Sequence, residues 1–376
     1  MTGWNEIVAT EIEALKEKHL YREIREIENQ DGVHALYRKK PVTLFCGNDY
    51  LGLSRHPRVK AAAIQAIKKL GVGASAARLT SGSMPAHRKL EEKIAKYKGF
   101  ERALVYSAGY LANLGTLTAI ADEKTEIIFD KLCHASLIDA VKLSGAAYRV
   151  FPHNDYERCE ELLAKSTAAK KMILVESVFG MDGDVADLEQ LVQIKNKHNA
   201  LLFVDDAHGT GVVKIPAMEK ADIVTGTLSK AAGSIGGFVV ASSALADLIL
   251  NRARPFMFAT ALPPMICEAA YEAFCVMEEE PALFQKLWVN IHAVHGELKK
   301  LGFELEVPQS AVLPVILGDE KKALDAFEKL LEQGIFVPAI RYPTVPKGKA
   351  RLRITVSAAH TDTDIQKLIQ AMEKIK

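Results

Sequence analysis

The sequence predicts an α/β fold: a large domain on a mostly parallel, mixed sheet, followed by a smaller α+β domain. Three observations carry this expectation. Between about residue 100 and Val240, short apolar runs alternate with helical patterns, as strands covered on both faces by crossover helices do. Beyond Arg254-Pro255 the pattern turns helix-rich, then returns to a few isolated apolar runs. At 376 residues the chain exceeds the usual size of one domain.

The elements follow in order. Residues 1 to about 30 carry Ile7, Ile12, Leu15 and Leu20 at helical spacing among charges, an arm whose apolar stripe needs another surface. A turn-like Gln30-Asp31-Gly32 precedes a short strand, Val42–Cys46, which leads into the loop Gly47–Leu53. Strands are expected at Ala103–Tyr106, Glu126–Phe129, Tyr148–Phe151, Met172–Glu176, Leu201–Asp205, Ile223–Thr225 and Gly237–Val240. Helical patterns lie between them at Ala112–Ile120, Ser136–Leu143, Tyr156–Lys165 and Leu188–His198. Further on, apolar runs at Ala311–Leu317 and Ile335–Ile340 flank a helix at Lys321–Glu332, and Arg351–Val356 and a helix over Asp362–Lys376 close the chain. The expected domains are an N-terminal helical arm over 1–45, a large cofactor-binding α/β domain over 46–255 and a C-terminal α+β domain over 256–376.

Composition excludes several classes. A net charge of +1 leaves no electrostatic footprint for nucleic acid or an anionic membrane. Apolar residues make up 49% of the chain and are spread along it, against disorder. The five cysteines are scattered without a Cys-x-x-Cys pair, which suits reduced core thiols better than a disulfide framework or a metal site. No apolar run reaches the roughly 18 residues of a membrane span, and the N-terminus lacks a secretion signal, so a cytoplasmic protein is expected.

Four segments carry chemistry. The apolar strand Leu201–Asp205 ends in two carboxylates, Asp205 and Asp206, followed by His208 and glycines; ligands in open α/β sheets bind at such carboxyl ends. Lys230 follows the strand ending at Thr225, among small residues and the hydroxyls of Thr225, Thr227, Ser229 and Ser234. A lysine there can be desolvated, which frees its amine for Schiff-base chemistry. The turn Ser107-Ala-Gly-Tyr110 opens a helix after a strand, a place suited to phosphate. His134 lies just beyond another strand end. Each feature has an ordinary structural reading: a helix-capping Asp, a solvated Lys, a common turn, a packed His. Together they place a lysine, an acid, a phosphate cup and an imidazole on one sheet edge, the parts that pyridoxal phosphate needs.

Here the chain resembles the α-oxoamine synthases, fold-type I pyridoxal-phosphate enzymes, from about residue 20 to its end. Asn48-Asp-Tyr-Leu-Gly-Leu53, Ser107-Ala-Gly-Tyr110, Cys133-His-Ala-Ser136, Phe179-Gly-Met-Asp-Gly-Asp184, Asp205-Asp-Ala-His-Gly-Thr-Gly211 and Thr227-Leu-Ser-Lys230 match the family's landmarks in order. The resemblance implies that Lys230 holds the cofactor, Asp205 pairs with its ring nitrogen, His208 with its phenolic oxygen, and His134 stacks on its face. Gly109, Tyr110 and Thr227 would complete the cofactor site. Gly180 stands where a serine is common, so a hydroxyl contact is absent there. Arg353 would hold the amino-acid carboxylate, with Asn48 and His134 also on the substrate side, and Arg22, Arg341 and Thr344 would line the acyl-donor side. No metal is implied.

The activity implied is a decarboxylative condensation of an amino acid with an acyl thioester. Within the family, Ala339–Pro346, Ala350–Thr355 and Ser357–His360 point to L-alanine and a pimeloyl thioester, on CoA or acyl carrier protein, the biotin-biosynthetic pair. Tyr342 departs toward the members that use glycine and a short acyl-CoA. A non-catalytic paralogue and an ordinary aminotransferase are the remaining alternatives. A homodimer is expected, from the family and from the uncovered stripe of the N-terminal arm.

Overall fold

A computed structural model describes residues 3–376. The chain forms two compact units, one from residues 48–286 and one from 1–47 together with 287–376.

The first unit is built on seven strands: β1 (Arg102–Tyr106), β2 (Thr125–Asp130), β3 (Ala147–Phe151), β4 (Lys170–Glu176), β5 (Leu201–Asp205), β6 (Ile223–Thr227) and β7 (Gly237–Ala241). They lie in the order β1-β7-β6-β5-β4-β2-β3. β7 runs antiparallel to β1 and β6, and the other neighbours are parallel. The apolar runs are explained by burial on both faces. Ile173 and Val175 of β4, with Leu202 and Val204 of β5, enter one core, while Met172, Leu174 and Phe203 enter the other. All seven expected strands are present, each within a residue or two of its expected bounds.

Residues 256–286 belong to this unit, which moves the expected domain boundary at 255/256. The reason is packing. Phe256 is buried beside Tyr106, and the helix Pro264–Glu279 places Cys267, Ala270 and Phe274 in the core with Leu90, Ile94 and Phe238.

The second unit holds two small sheets. One joins Ile27–Asp31, His34–Tyr37 and Lys40–Leu44 as antiparallel neighbours, and adds Ile335–Phe336 parallel to Lys40–Leu44. The other orders Val312–Gly318, Ala350–Thr355 and Ala339–Ile340. The N-terminal helix covers only Trp4–Glu17 and is followed by the polar strand Ile27–Asp31, whose turn is made by Gly32 at φ +61°. The expected strand Ile335–Ile340 is split in two, because Pro338 has no N–H to continue a ladder. His360 stacks on Phe45 with centroids 4.0 Å apart, its Nε2 is 3.0 Å from the Leu44 carbonyl, and burial takes its pKa down to about 4. Among the described residues, no helix is long and apolar enough to cross a membrane.

Candidate active site

The carboxyl ends of β1, β2, β4, β5 and β6 meet at a cavity of about 260 Å³, reached by Gly109, Tyr110, His134, Glu176, Asp205, His208, Thr227 and Lys230. Parallel strands all deliver their last residues to one edge, so side chains distant in sequence converge there.

Asp205 closes β5 and is buried. Its Oδ1 accepts the Ala207 N–H at 2.9 Å, and its Oδ2 accepts from the Asn113 amide at 2.6 Å. Asn113 also donates to Ser136 Oγ (2.9 Å) and accepts from the Thr225 hydroxyl (2.6 Å), so its amide is fully used. Ser136 in turn faces His134 Nδ1 with both its hydroxyl (2.8 Å) and its N–H (3.2 Å). With its Oγ occupied by Asn113, Ser136 donates its own proton, which makes Nδ1 an acceptor and puts the His134 proton on Nε2. Burial lowers the His134 pKa, against the pull of Asp205 and with the push of Lys230. A neutral imidazole is therefore tied by one polar chain to a buried carboxylate.

Glu176 closes β4, pairs in register with Asp205 and is buried. Burial, then the nearby Asp205 charge, pushes its pKa up to about 8, although the His134 and Gly180 N–H groups bond to it and Lys230 opposes the rise. Its placement at a strand end was visible in the sequence, but its role was not, because the second carboxylate beside it comes from another strand. Asn113 was missed for the same reason: its partners Asp205, Ser136 and Thr225 come from three other segments.

The helix Gly109–Ile120 begins at the cavity with no side-chain cap. A Cβ on Gly109 would stand 3.1 Å from Thr227 Cβ, so a side chain there would make Thr227 give way by a few tenths of an ångström. The Thr227 hydroxyl bonds Ser229 Oγ (2.7 Å) and the Gly236 carbonyl (3.0 Å). Tyr110 stands half-exposed, edge-on to His134, with its hydroxyl on Asp139.

Asn48 and Gly180 are next to the cavity. Buried Tyr50 places its hydroxyl 3.2 Å from Asn48 Oδ1 and 2.6 Å from His208 Nδ1. Gly180 Cα lies under the His208 ring, where any Cβ would clash with Nε2.

Arg22, Arg341, Thr344 and Arg353 lie in the other unit. Arg22 Nη2 is 3.4 Å from Thr344 Oγ1, and Arg341 bonds the His19 carbonyl. Arg22 and Arg341 line a cavity of about 480 Å³ together with Lys16, His19 and Arg25. Burial, then Arg22 and Arg25, lowers the Arg341 pKa. Arg353 is buried on the strand Ala350–Thr355 and donates to Thr355 Oγ1 at 3.0 Å.

Residues 40–372 match the family Aminotransferase class I and II. The 8-amino-7-oxononanoate synthase of Thermoanaerobacter pseudethanolicus is 41% identical, over 98% of this chain and 96% of its own length. That of Geobacter sulfurreducens is 39% identical, over 98% and 97%. A serine palmitoyltransferase structure with its PLP internal aldimine superposes with a TM-score of 0.93 at 29% identity, over 98% of this chain and 96% of that one. The chain belongs to the class I and II aminotransferase family, in its α-oxoamine synthase branch.

The cavity's donor set fits the family's cofactor, pyridoxal 5′-phosphate. A fixed carboxylate for a ring nitrogen, a lysine, a neutral imidazole and an uncapped helix start beside hydroxyls are all present at one edge.

Proposed function

We propose that the protein is an 8-amino-7-oxononanoate synthase, condensing L-alanine with a pimeloyl thioester carried on CoA or acyl carrier protein. The convergence of Lys230, Asp205, His134 and His208 on one cavity carries this reading. The bond formed joins the alanine Cα to the acyl carbon; the thiol leaves, and the alanine carboxylate departs as carbon dioxide. The bound pyridoxal 5′-phosphate supplies an electron-withdrawing ring that stabilises negative charge at Cα.

The remaining work falls to this chain. Lys230 would provide the amine that attaches the cofactor, and its free amine would take a proton from the amino acid's Cα and later return one. Asp205, its orientation fixed by Asn113 and the Ala207 N–H, would hold a proton on the ring nitrogen. His134, as a neutral imidazole, would stack on the cofactor ring, and His208 would pair with its phenolic oxygen. Gly109, Tyr110 and Thr227 would bind the cofactor. Arg353 would take the amino-acid carboxylate, for which a guanidinium fork is well shaped, and Asn48 is assigned to the substrate. Arg22, Arg341 and Thr344 serve the acyl donor, whose negative groups suit a cavity lined by several cations. The enzyme works in the cytoplasm as a homodimer.

The test is thiol release across a grid of amino acids and acyl thioesters. L-alanine with pimeloyl thioester should give the highest kcat/KM. A higher value for glycine with acetyl-CoA would move the assignment to another branch member and leave the family standing. Lys230→Ala should abolish turnover and the adduct trapped by borohydride; a reduced adduct on another lysine would refute the role of Lys230.

A further inference from the structure

β5 runs into two adjacent carboxylates, and the proposed chemistry uses only Asp205. Successive residues of a strand point to opposite faces, and the packing follows that rule: Leu202 and Val204 enter one core and Phe203 the other. Asp205 turns with Phe203, toward Asn113 on the helix Gly109–Ile120, whose Ala112 and Leu117 share that core. Asp206 turns the other way, toward the helix Pro85–Lys98, whose Leu90 and Ile94 lie with Leu202 and Val204. Lys98, Asp206 and Thr210 border a separate cavity of about 170 Å³, and none of the three lines the active-site cavity.

Asp206 is 2% exposed, and a carboxylate so buried is stable only when paired and hydrogen-bonded. Three donors meet it. The Lys98 ammonium reaches Oδ2, and the Ser177 hydroxyl donates to Oδ1. The Thr210 hydroxyl has Oδ2 at 2.7 Å and the Asp206 carbonyl at 2.9 Å, so either acceptor belongs to Asp206. The ammonium also donates to Thr210 Oγ1 at 2.8 Å. An ammonium only donates and a carboxylate only accepts, which fixes these directions. Lys98 is the last residue of its helix, which ends at Gly99 with φ +75°, a place that favours a cation. The backbone follows the side chains. The Thr210 N–H donates to the Asp206 carbonyl at 3.2 Å, closing a turn with His208 inside it, and the Ser177 N–H donates to the Asp205 carbonyl at 2.8 Å. A Cβ on Gly209 would lie 2.2 Å from Asp206 Oδ1 and 2.9 Å from Ser177 Oγ. The turn is thus wrapped directly over the carboxylate.

We propose that Lys98 and Asp206 are a pair of positioning residues: from the face of the sheet opposite the active-site cavity, their ion pair clamps the turn Asp206–Thr210 to the end of β4 and so sets where Asp205 and His208 stand. The consequence for the cofactor rests on the reading of Asp205 and His208 as its ring partners. Removing one charge of a buried pair leaves the other uncompensated, so the turn loosens whichever partner is lost. A direct effect of charge has the opposite property, since losing a cation and losing an anion move a nearby titration in opposite directions.

The experiment has two arms. The first is amide hydrogen exchange in the apo-protein. In the wild type, the Ser177 and Thr210 amides should be as protected as those of β5. Lys98→Met should speed their exchange about tenfold or more, the loss of a hydrogen bond to a charged group. Amides of Ala350–Thr355 should stay slow and report that the variant is folded. Lys98→Arg, which keeps the charge, should restore most of the protection. A wild-type turn that exchanges like an exposed loop overturns the proposal, and so does a Lys98→Met turn as slow as the wild type. Lys98→Met against Lys98→Arg decides even if Asp206→Asn misfolds. The second arm follows the pH midpoint of the holoenzyme's visible absorption change. It should shift in the same direction in Lys98→Met and Asp206→Asn and stay put in Lys98→Arg. Shifts of opposite sign would show charge acting through space and overturn the proposal. If Asp205→Asn or His208→Gln moves the midpoint and Lys98→Met does not, the proposal also fails. If the turn loosens and none of these four variants moves the midpoint, the clamp stands and the reading of Asp205 and His208 as cofactor partners fails.

Discussion

Glu176 shows how a single buried side chain couples two loops to a charge. Its carboxyl accepts N–H groups from His134 and Gly180, yet burial and the neighbouring Asp205 raise its pKa to about 8. An acid whose pKa is higher folded than unfolded binds its proton more tightly in the native state. Stability from this group is therefore full below about pH 4.5 and declines as pH rises toward 8. Glu176→Gln keeps an acceptor and cannot ionise. Thermal melts of the apo-protein should show the variant gaining on the wild type between pH 5 and 8.5; parallel curves would contradict the assignment. The same residue marks the limit of sequence reading. Lys230, Asp205, His208 and His134 could be found because each follows an apolar strand, and position alone puts such residues at the ligand edge. Glu176, Asn113 and Tyr50 act through partners far away in the chain, and no local pattern encodes those meetings.

Loops gain order from ion pairs that span strands. His153, just past β3, sits between Asp130 at the end of β2 (3.0 Å) and Asp184 in the turn after β4 (2.7 Å), with Phe179 edge-on at 4.4 Å. Burial disfavours its charge, but the two carboxylates outweigh that and raise its pKa to about 10. The sign follows from a cation whose pKa is higher folded than unfolded. Its contribution is complete below about pH 6.5 and is lost as pH rises through 10. His153→Gln should lower Tm most at pH 6 and least at pH 10, where the difference from wild type closes. A gap independent of pH would assign the residue to packing alone. At this scale the parallel strands were legible because both faces are apolar, as Ile173 and Leu174 show by entering opposite cores. The strand Ile27–Asp31 was not, since its sequence Ile-Glu-Asn-Gln-Asp is polar and it is half-buried or exposed throughout; cross-strand pairing, not hydrophobicity, holds it.

For the molecule as a whole, the uncovered apolar surface bears on assembly. The helix Trp4–Glu17 buries no side chain, and Trp4, Ile7, Val8 and Leu15 on it are exposed, as is Phe258. Exposed apolar side chains in this number favour a second protein surface. Light scattering should therefore give a dimer mass, and deletion of residues 3–17 should weaken it; a fully active monomer at nanomolar concentration would exclude a dimer. The order in which the chain is made adds a separate consequence. Thr43 and Leu44 find their parallel neighbours at Ile335 and Phe336, while residues 48–286 form a unit of their own. During translation at roughly 5–20 residues per second, the opening segment leaves the ribosome tens of seconds before its neighbour exists. A whole sheet unit is thus completed while the first strand waits, and ribosome-bound chains stopped before residue 335 should be cut by protease near their N-terminus long before their middle.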